Sequence, residues 1–396
     1  MIGRMDGLTR AARRLGPPGP IAFVVAGLAL SAAAPQLQVV VTPELVLVVL
    51  LPGLVFEAAY RLHWEDLRRS YGSIAFLAVP GVLLSAAVVA VILSAAIGLA
   101  AGPAFVVGAI VSATDPAAVV ATFAKLRAPR RLIAIVDAES LLNDGTALVA
   151  FAIAVAAVTR GVGPLEAAWL FGLTIAGSAL IGALVGLGAA LAIVRARGRL
   201  LPVMISLLAA YGTYLAAAAV GLSGVLASVL AGIVLGNYGR RVGLTEATER
   251  ALDAVWEPLA AALTALIFLA VGIAIGRSGV WSALVPIAWG LLAVLLARAL
   301  VVYGLIGGAV AVLGRGPVAP NLPVGWLHPL FWAGLRGGVA TAAALSLPLD
   351  FPERELLQRI TFGIVVVTLV VQGSTAGWIV RRVTAVDQPA STLPTT

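Results

Sequence analysis

The feature that most constrains this chain is a series of twelve long apolar stretches, each nearly free of charge. Hydrophobic residues make up 61% of the 396 residues and charged residues only 11%, which is too apolar for a water-soluble globule. The stretches lack the alternation of barrel strands, so the backbone must satisfy its own hydrogen bonds as helices. The sequence predicts an all-α integral membrane protein with about twelve transmembrane helices. The predicted segments are 21–34, 39–56, 71–100, 103–123, 132–158, 165–194, 201–220, 222–235, 258–275, 280–313, 327–347 and 356–380.

The basic residues predict the orientation of the segments. If the N-terminus is cytoplasmic, twenty of the 26 Lys and Arg residues fall on the inner side and four on the outer side, with Arg298 and Arg336 inside segments. Such a bias places both termini in the cytoplasm. Residues 1–20 then form a cytoplasmic arm, 21–382 the transmembrane domain and 383–396 a short cytoplasmic tail. The net charge of +8 reflects these inner loops, so no nucleic-acid partner is expected.

Metal and redox chemistry find little support in the composition. Cysteine is absent, which excludes disulfides and thiolate metal sites. The two histidines, His63 and His328, are too few for a histidine-built metal site. We expect no cofactor and no enzymatic activity.

A polar wedge lies near the middle of segment 132–158. At about 100° per residue, a helix stacks Glu139 under Asn143 and Ser140 under Asp144. An ionised Asp at the centre of a membrane helix costs roughly 2.5 to 3.5 kcal/mol, so such residues face a cavity or a partner. The wedge therefore predicts an ion or proton site rather than simple helix–helix contact.

Two other segments contain residues that interrupt helices at mid-depth. Segment 103–123 contains Thr114-Asp115-Pro116 and segment 327–347 contains Gly334-Leu335-Arg336-Gly337-Gly338. Pro116 lacks an amide hydrogen and should open its helix, which frees carbonyls as ligands and lets Asp115 cap the half-helix that follows. Interrupted segments in corresponding places of two halves indicate inverted repeats around a midplane transport site.

Arg336 is a permanent cation in an apolar segment and needs an anion. Asp115, Glu139 and Asp144 compete for it, and one pairing leaves at least one carboxylate free to exchange ligands. We predict that Glu139 pairs with Arg336, which holds Glu139 ionised and leaves Asp144 to titrate.

A buried carboxylate with hydroxyl and carbonyl neighbours is neutralised either by a proton or by a small cation such as Na⁺ or Li⁺. Because the two exclude each other, competition at one site with alternating access suffices for cation/proton exchange. Asn143 beside Asp144 is neutral, so one charge enters and one leaves in each cycle. We expect electroneutral 1:1 exchange, with K⁺ as a further candidate cation.

Several acids lie closer to the cytoplasmic surface. Asp137 is on the inner side of Asp144 and on a similar face, where it either lines the funnel through which ions enter or is a solvated helix-end acid. Glu57, Glu65 and Asp66 lie at the inner end of the second segment and are interpreted as interfacial or funnel-surface charges rather than ligands.

Five motifs together resemble those of a known family. They are Ala113-Thr114-Asp115-Pro116-Ala117-Ala118-Val119, Glu139-Ser140-Leu141-Leu142-Asn143-Asp144-Gly145, Ser223-Gly224-Val225-Leu226-Ala227, Gly334-Leu335-Arg336-Gly337-Gly338 and Pro52-Gly53-Leu54-Val55-Phe56-Glu57-Ala58-Ala59. The chain is similar to bacterial sodium/proton antiporters of the NhaP type, within the monovalent cation/proton antiporter superfamily that includes the eukaryotic NHE exchangers. The combination of the Thr-Asp-Pro and Glu-Ser-x-x-Asn-Asp motifs is specific, and their order spans nearly the whole chain.

The resemblance implies two crossing, unwound helices within a core domain, about 71–158 and 280–380, that moves like an elevator against a dimerisation scaffold. It implies a homodimer in the bacterial inner (plasma) membrane. Many members have thirteen spans, so the chain is expected to lack the outermost N-terminal one. In this family the position of Asp144 holds the ion, and the residues that assist it are Ser140, Glu139 and the Thr114 carbonyl, with Asn143 tying the broken helix to the site and Arg336 pairing with Glu139.

Other classes remain open at this point. A sodium-coupled symporter or a cation channel of related architecture would use similar residues. An intramembrane aspartyl protease would also place two acids such as Asp115 and Asp144 in neighbouring helices, although the Gly-x-Gly-Asp setting is absent. A serine protease is suggested by Gly-x-Ser-Gly at 221–224, but a histidine in a suitable place is missing.

Overall fold

The computed structural model describes residues 19–33, 41–308 and 322–384, and these residues form helices and connecting loops without strands. The predicted N-terminal arm up to residue 18 and the predicted tail from residue 385 lie outside the described residues. The helices are α1 Gly19–Ala33, α2 Leu51–Arg61, α3 Trp64–Ala78, α4 Pro80–Ile97, α5 Ala101–Ile110, α6 Ala117–Lys125, α7 Arg130–Arg160, α8 Pro164–Arg195, α9 Leu200–Ala219, α10 Gly224–Val242, α11 Glu246–Arg277, α12 Leu284–Ala299, α13 Leu327–Trp332, α14 Gly338–Leu345, α15 Arg354–Val367 and α16 Gly373–Thr384.

Each predicted apolar segment coincides, over its described residues, with one helix or with consecutive helices. Seven continuous helical stretches in the described part are long and apolar enough to cross a bilayer. The protein is therefore a multi-pass, all-helical membrane protein, as the composition predicts.

The ends of several helices differ from the prediction. Helix α3 begins at Trp64, seven residues before the predicted start at 71, and α10 and α11 also extend past their predicted bounds. The eighth segment was expected to end at residue 235, but α10 continues to Val242, and α11 begins at Glu246, twelve residues before the predicted start at 258. Arg240 near the end of α10 bonds Glu249 of α11 at 3.2 Å and lies over the Tyr60 ring. Hydropathy marks the part of a helix inside the bilayer, whereas these polar contacts prolong the helices beyond it.

In two pairs of helices the backbones come very close together, because glycine is present at the point of contact. A Cβ atom added to Gly236 of α10 would overlap the Tyr60 carbonyl of α2, and one added to Gly272 of α11 would overlap the Val24 carbonyl of α1. Small residues let membrane helices approach in this way without a hydrophobic driving force. Helices α1, α2, α10 and α11 are thereby held tightly against one another.

The two segments predicted to be interrupted are both broken. The fourth segment is divided into α5 and α6, separated by extended residues around Thr114, and the eleventh into α13 and α14, separated by residues 333–337. Each break falls at the Pro or Gly residues that the sequence singles out. The breaks bring four helix ends into the interior of the protein.

Candidate functional site: a crossing of two broken helices beside α7

The two unwound stretches cross and bond to each other. The backbone N–H of Asp115 donates to the Leu335 carbonyl at 2.9 Å. The N-termini of α6 and α14 meet at this crossing. The C-termini of α5 and α13 lie there too. Four helix ends with partial charges therefore converge in the protein interior, and each needs a compensating group.

Asp115 compensates both N-termini at once. Its Oδ1 accepts the Ala117 N–H of α6 at 3.2 Å, and its Oδ2 accepts the Gly338 N–H of α14 at 3.5 Å. Asp115 thus accepts a backbone hydrogen bond at the start of the half-helix after Pro116, where a cap was expected, and another at the start of the second broken helix. Its carboxylate is thus committed to backbone donors at two positive helix ends.

Arg336 compensates the negative C-terminal end of α5. Its Nη1 donates to the Ser112 and Ala113 carbonyls at 3.2 and 3.1 Å, where the chain leaves α5, and its backbone N–H donates to Thr368 Oγ1 at 3.2 Å. The side chain is 1% exposed. A cation at the negative end of a helix is stabilised by the free carbonyls there, so Arg336 fixes α5 at its break.

The ion partner of Glu139 is Arg298, so the predicted pairing with Arg336 is wrong. Arg298 of α12 forms a two-pronged salt bridge with both Glu139 oxygens, and its Nη2 also donates to the Leu330 carbonyl of α13 at 2.6 Å. Both side chains are buried. The planar guanidinium can satisfy a carboxylate and a helix-end carbonyl together. The sequence signal for Arg298 was its place as a second lone cation inside an apolar segment.

Asn143 and Ser140 connect α7 to the first break. Asn143 accepts the Thr114 N–H through Oδ1 at 3.2 Å and donates through Nδ2 to Thr114 Oγ1 at 2.6 Å. Ser140 donates its hydroxyl hydrogen to the Thr114 carbonyl. The unwound turn is therefore locked to α7, and Ser140 and Asp144 line the same cavity.

Asp144 differs from the other buried acids because no described residue bonds to it. It is 7% exposed, and its Oδ1 is buried without a hydrogen-bond partner. It faces a cavity of about 130 Å³ whose lining includes Asp115, Ser140, Thr264 and Phe268. An orphaned, buried carboxylate oxygen is costly unless a proton or a cation satisfies it.

The acids predicted near the cytoplasmic surface lie in two places. Asp137 lies at the edge of the Asp144 cavity and also lines a wider cavity at the end of the protein where α7 begins. Glu57 forms an ion pair with Arg61 one helical turn away, as expected for an acid outside the site. Glu65 lies at the rim of that cavity and Asp66 beside it.

The crossing leaves no room for a side chain at Gly337. A Cβ atom there would overlap the Asp115 carboxylate, so we expect Gly337→Ala to displace Asp115 and destabilise the protein by about 1–3 kcal/mol. Thermal unfolding in detergent measures the loss. Gly188→Ala in α8, where a Cβ meets nothing within 4 Å, is the matched control, and equal melting temperatures for the two variants would contradict the crossing geometry.

The fold and the site together define a class of protein, the membrane-embedded secondary transporters, in which broken helices surround a midplane ion site. A sequence profile described as "Sodium/hydrogen exchanger, transmembrane" matches residues 5–382. The chain is 34% identical over 378 residues to the low-affinity Na⁺/H⁺ antiporter NhaS1 of Synechocystis, covering 94% of this chain and 71% of that one. It is 33% identical to the Na⁺/H⁺ antiporter ApNhaP of Aphanothece halophytica, covering 92% and 69%.

The fold also matches a solved structure. An electron-microscopy structure of the sodium proton antiporter MjNhaP1 of Methanocaldococcus jannaschii superposes with a TM-score of 0.76 at 18% identity, covering 98% of this chain and 97% of that one. The chain belongs to the sodium/hydrogen exchanger family. The symporter, channel and protease alternatives receive no support from these relatives, and Ser223 of the Gly-x-Ser-Gly pattern caps α10 by accepting the Leu226 N–H.

Proposed function

We propose that this protein is a secondary active transporter that exchanges Na⁺ or Li⁺, with K⁺ as a further candidate, for H⁺. The cation and the proton compete for Asp144. Whichever ion is bound is carried with the site between the two sides of the membrane. The proposal rests above all on the Asp144 carboxylate, which is buried in a cavity without a bond to any described residue. Exchange by this mechanism needs no cofactor.

The surrounding groups suit a small hard cation. Ser140 lines the Asp144 cavity, and its hydroxyl bonds the Thr114 carbonyl, so these two groups would supply neutral oxygens, which are the ligands that Na⁺ and Li⁺ favour. Glu139 lies five residues before Asp144 on α7, with its charge balanced by Arg298. Asn143 is neutral and committed to Thr114, so it adds no second titrating carboxylate beside Asp144, which supports electroneutral 1:1 exchange.

Alternating access follows from a division of the helices into two bodies. The scaffold comprises α1, α2 and α8–α11, several of which are held by close glycine contacts. The core, at about 71–158 and 280–380, contains both broken helices and α7, joined by the crossing and by the Arg298–Glu139 bridge. Motion of the core as a unit would expose Asp144 to one side and then the other without breaking the site.

The distribution of basic residues supports cytoplasmic termini and a cytoplasmic position for the end of the protein at which α7 begins. The relatives from bacteria support a place in the bacterial inner membrane. A homodimer joined through the scaffold is part of the same proposal. Mass photometry or native mass spectrometry of the purified protein tests it, and a mass of a single chain at all concentrations would oppose it.

The exchange reaction is tested in proteoliposomes that hold a pH gradient and a pH-sensitive dye. Addition of Na⁺ or Li⁺ should dissipate the gradient, because each cation that enters the site releases a proton. Raising the proton concentration tenfold should raise the KM for Na⁺ about tenfold with an unchanged maximal rate, as expected for competition at one site. A membrane potential clamped with valinomycin and K⁺, in a Na⁺ assay, should leave the rate unaltered if exchange is electroneutral.

Two outcomes would contradict the proposal. Sodium flux that does not move protons would indicate a symporter or a channel. A maximal rate that falls with proton concentration while KM stays constant would show that cation and proton bind at separate places.

A further inference from the structure

A wide cavity leads from the surface of the protein toward the Asp144 site. It has a volume of about 860 Å³ and lies between the ends of α2 and α10 and the beginnings of α3 and α7. We call it the vestibule. Its lining carries as many arginines as acids, namely Arg61, Arg130, Arg240, Arg241, Glu57, Glu65, Asp66 and Asp137. Cations entering the vestibule therefore meet no overall attraction, and any attraction must come from particular side chains.

Asp137 is the acid at the inner end of the vestibule. It lines both the vestibule and the Asp144 cavity, and Ala58 is the other residue that the two linings share. Asp137 precedes Asp144 by seven residues on α7, which places it on nearly the same face, about 10 Å away along the helix axis. Ser140 lies between them and faces the same cavity. The three side chains form a row of oxygens along one helix face.

Three of the neighbouring acids are engaged elsewhere, whereas Asp137 is not. Glu57 pairs with Arg61, Glu139 with Arg298, and Asp115 with two backbone amides. Within the described residues, Asp137 forms no hydrogen bond or ion pair, and it remains partly accessible. Its charge is therefore available to a mobile cation at the junction of the two cavities.

We propose that Asp137 captures the transported cation from the vestibule and passes it along the Ser140 oxygen to Asp144. This inference rests on the proposed function. Asp137 holds the cation loosely, through water, because a single carboxylate supplies only a few of the oxygen ligands that a bound cation needs. Its effect is a higher cation concentration near Asp144 for cations that arrive through the vestibule, because Asp137 lies where the vestibule and the Asp144 cavity meet.

The experiment measures the KM for Na⁺ separately on each side of the membrane. Everted and right-side-out vesicles present opposite faces to added Na⁺, and the protein is assayed as the full chain. Removing one negative charge about 10 Å from the site should raise the vestibule-side KM about 3- to 15-fold. The maximal rate and the KM on the other side should be unchanged in Asp137→Asn and in Asp137→Ser.

Two further variants sharpen the assignment. Asp137→Glu keeps the charge at the junction and should retain a KM within about twofold of the wild type. Asp350→Asn removes an exposed acid between α14 and α15, distant in the chain from the vestibule residues, and should change neither KM.

Each contrary result is informative. An unchanged vestibule-side KM in Asp137→Asn and Asp137→Ser would overturn the capture role. So would equal rises on both sides, or loss of the maximal rate at saturating Na⁺, which would make Asp137 part of the transport site itself. Failure of the proposed function looks different, because the wild type would then show no sodium-driven proton movement.

Discussion

Asp144→Asn is expected to reduce sodium-driven proton exchange to the level of protein-free liposomes, while the protein stays folded. Asparagine has nearly the same shape as aspartate but has no proton to exchange and no negative charge for a cation. The Asp144 carboxylate forms no bond with a described residue, so the substitution removes no contact. It also removes a buried charge that is costly without a partner, so the melting temperature should equal or exceed that of the wild type.

The measurements are dye quenching in proteoliposomes and thermal unfolding of the same preparation. Asp350→Asn serves as the matched control, because it makes the same chemical change at an exposed position. Retention of exchange by Asp144→Asn would remove Asp144 from its assigned role. Loss of exchange together with a large fall in melting temperature would show instead that Asp144 is structural.

Arg298→Ala is expected to abolish exchange and to destabilise the protein by about 3–5 kcal/mol, the usual cost of breaking a buried ion pair by removing one partner. The substitution leaves the Glu139 carboxylate and the Leu330 carbonyl without their donor. Both are buried, so water cannot easily replace the guanidinium. Thermal unfolding in detergent measures the loss of stability.

A double variant tests whether the stability lost in Arg298→Ala comes from the Arg298–Glu139 ion pair. Combining Arg298→Met with Glu139→Gln removes both charges, and we expect it to recover most of the stability that Arg298→Ala loses, although not the activity. Combining Arg336→Ala with Glu139→Gln should show much weaker coupling, since Arg336 bonds the Ser112 and Ala113 carbonyls. The reverse order of coupling would restore the pairing expected from the sequence.

The helical segments were predictable because their signal is local. Apolar runs of membrane-spanning length must be helices, and Pro116 and the glycines around Arg336 must interrupt them. The ends of α10 and α11 were misplaced because hydropathy reports the bilayer, whereas Arg240 and Glu249 extend the helices through a contact that the apolar pattern does not show.

The sequence predicts which residues lie near the site better than it predicts which of them bond to one another. The spacing of Glu139, Ser140, Asn143 and Asp144 on one helix sets their faces, and Asp115 next to Pro116 indicates a cap. Arg298 and Arg336 both had to find anions or carbonyls inside the membrane. The sequence contains no information about which of them reaches Glu139, because that depends on how α12 packs against α7.

The order of residues along the chain is enough to establish a bundle of membrane helices with two breaks and with acids in its apolar segments. These features follow from hydropathy, from proline and glycine chemistry and from the period of the helix. The packing of the helices settles which charges neutralise one another, and it leaves Asp144 without a partner among the described residues. The physical reason is that an ion pair needs contact within a few ångströms, and such contacts are set by the packing of helices distant in the chain.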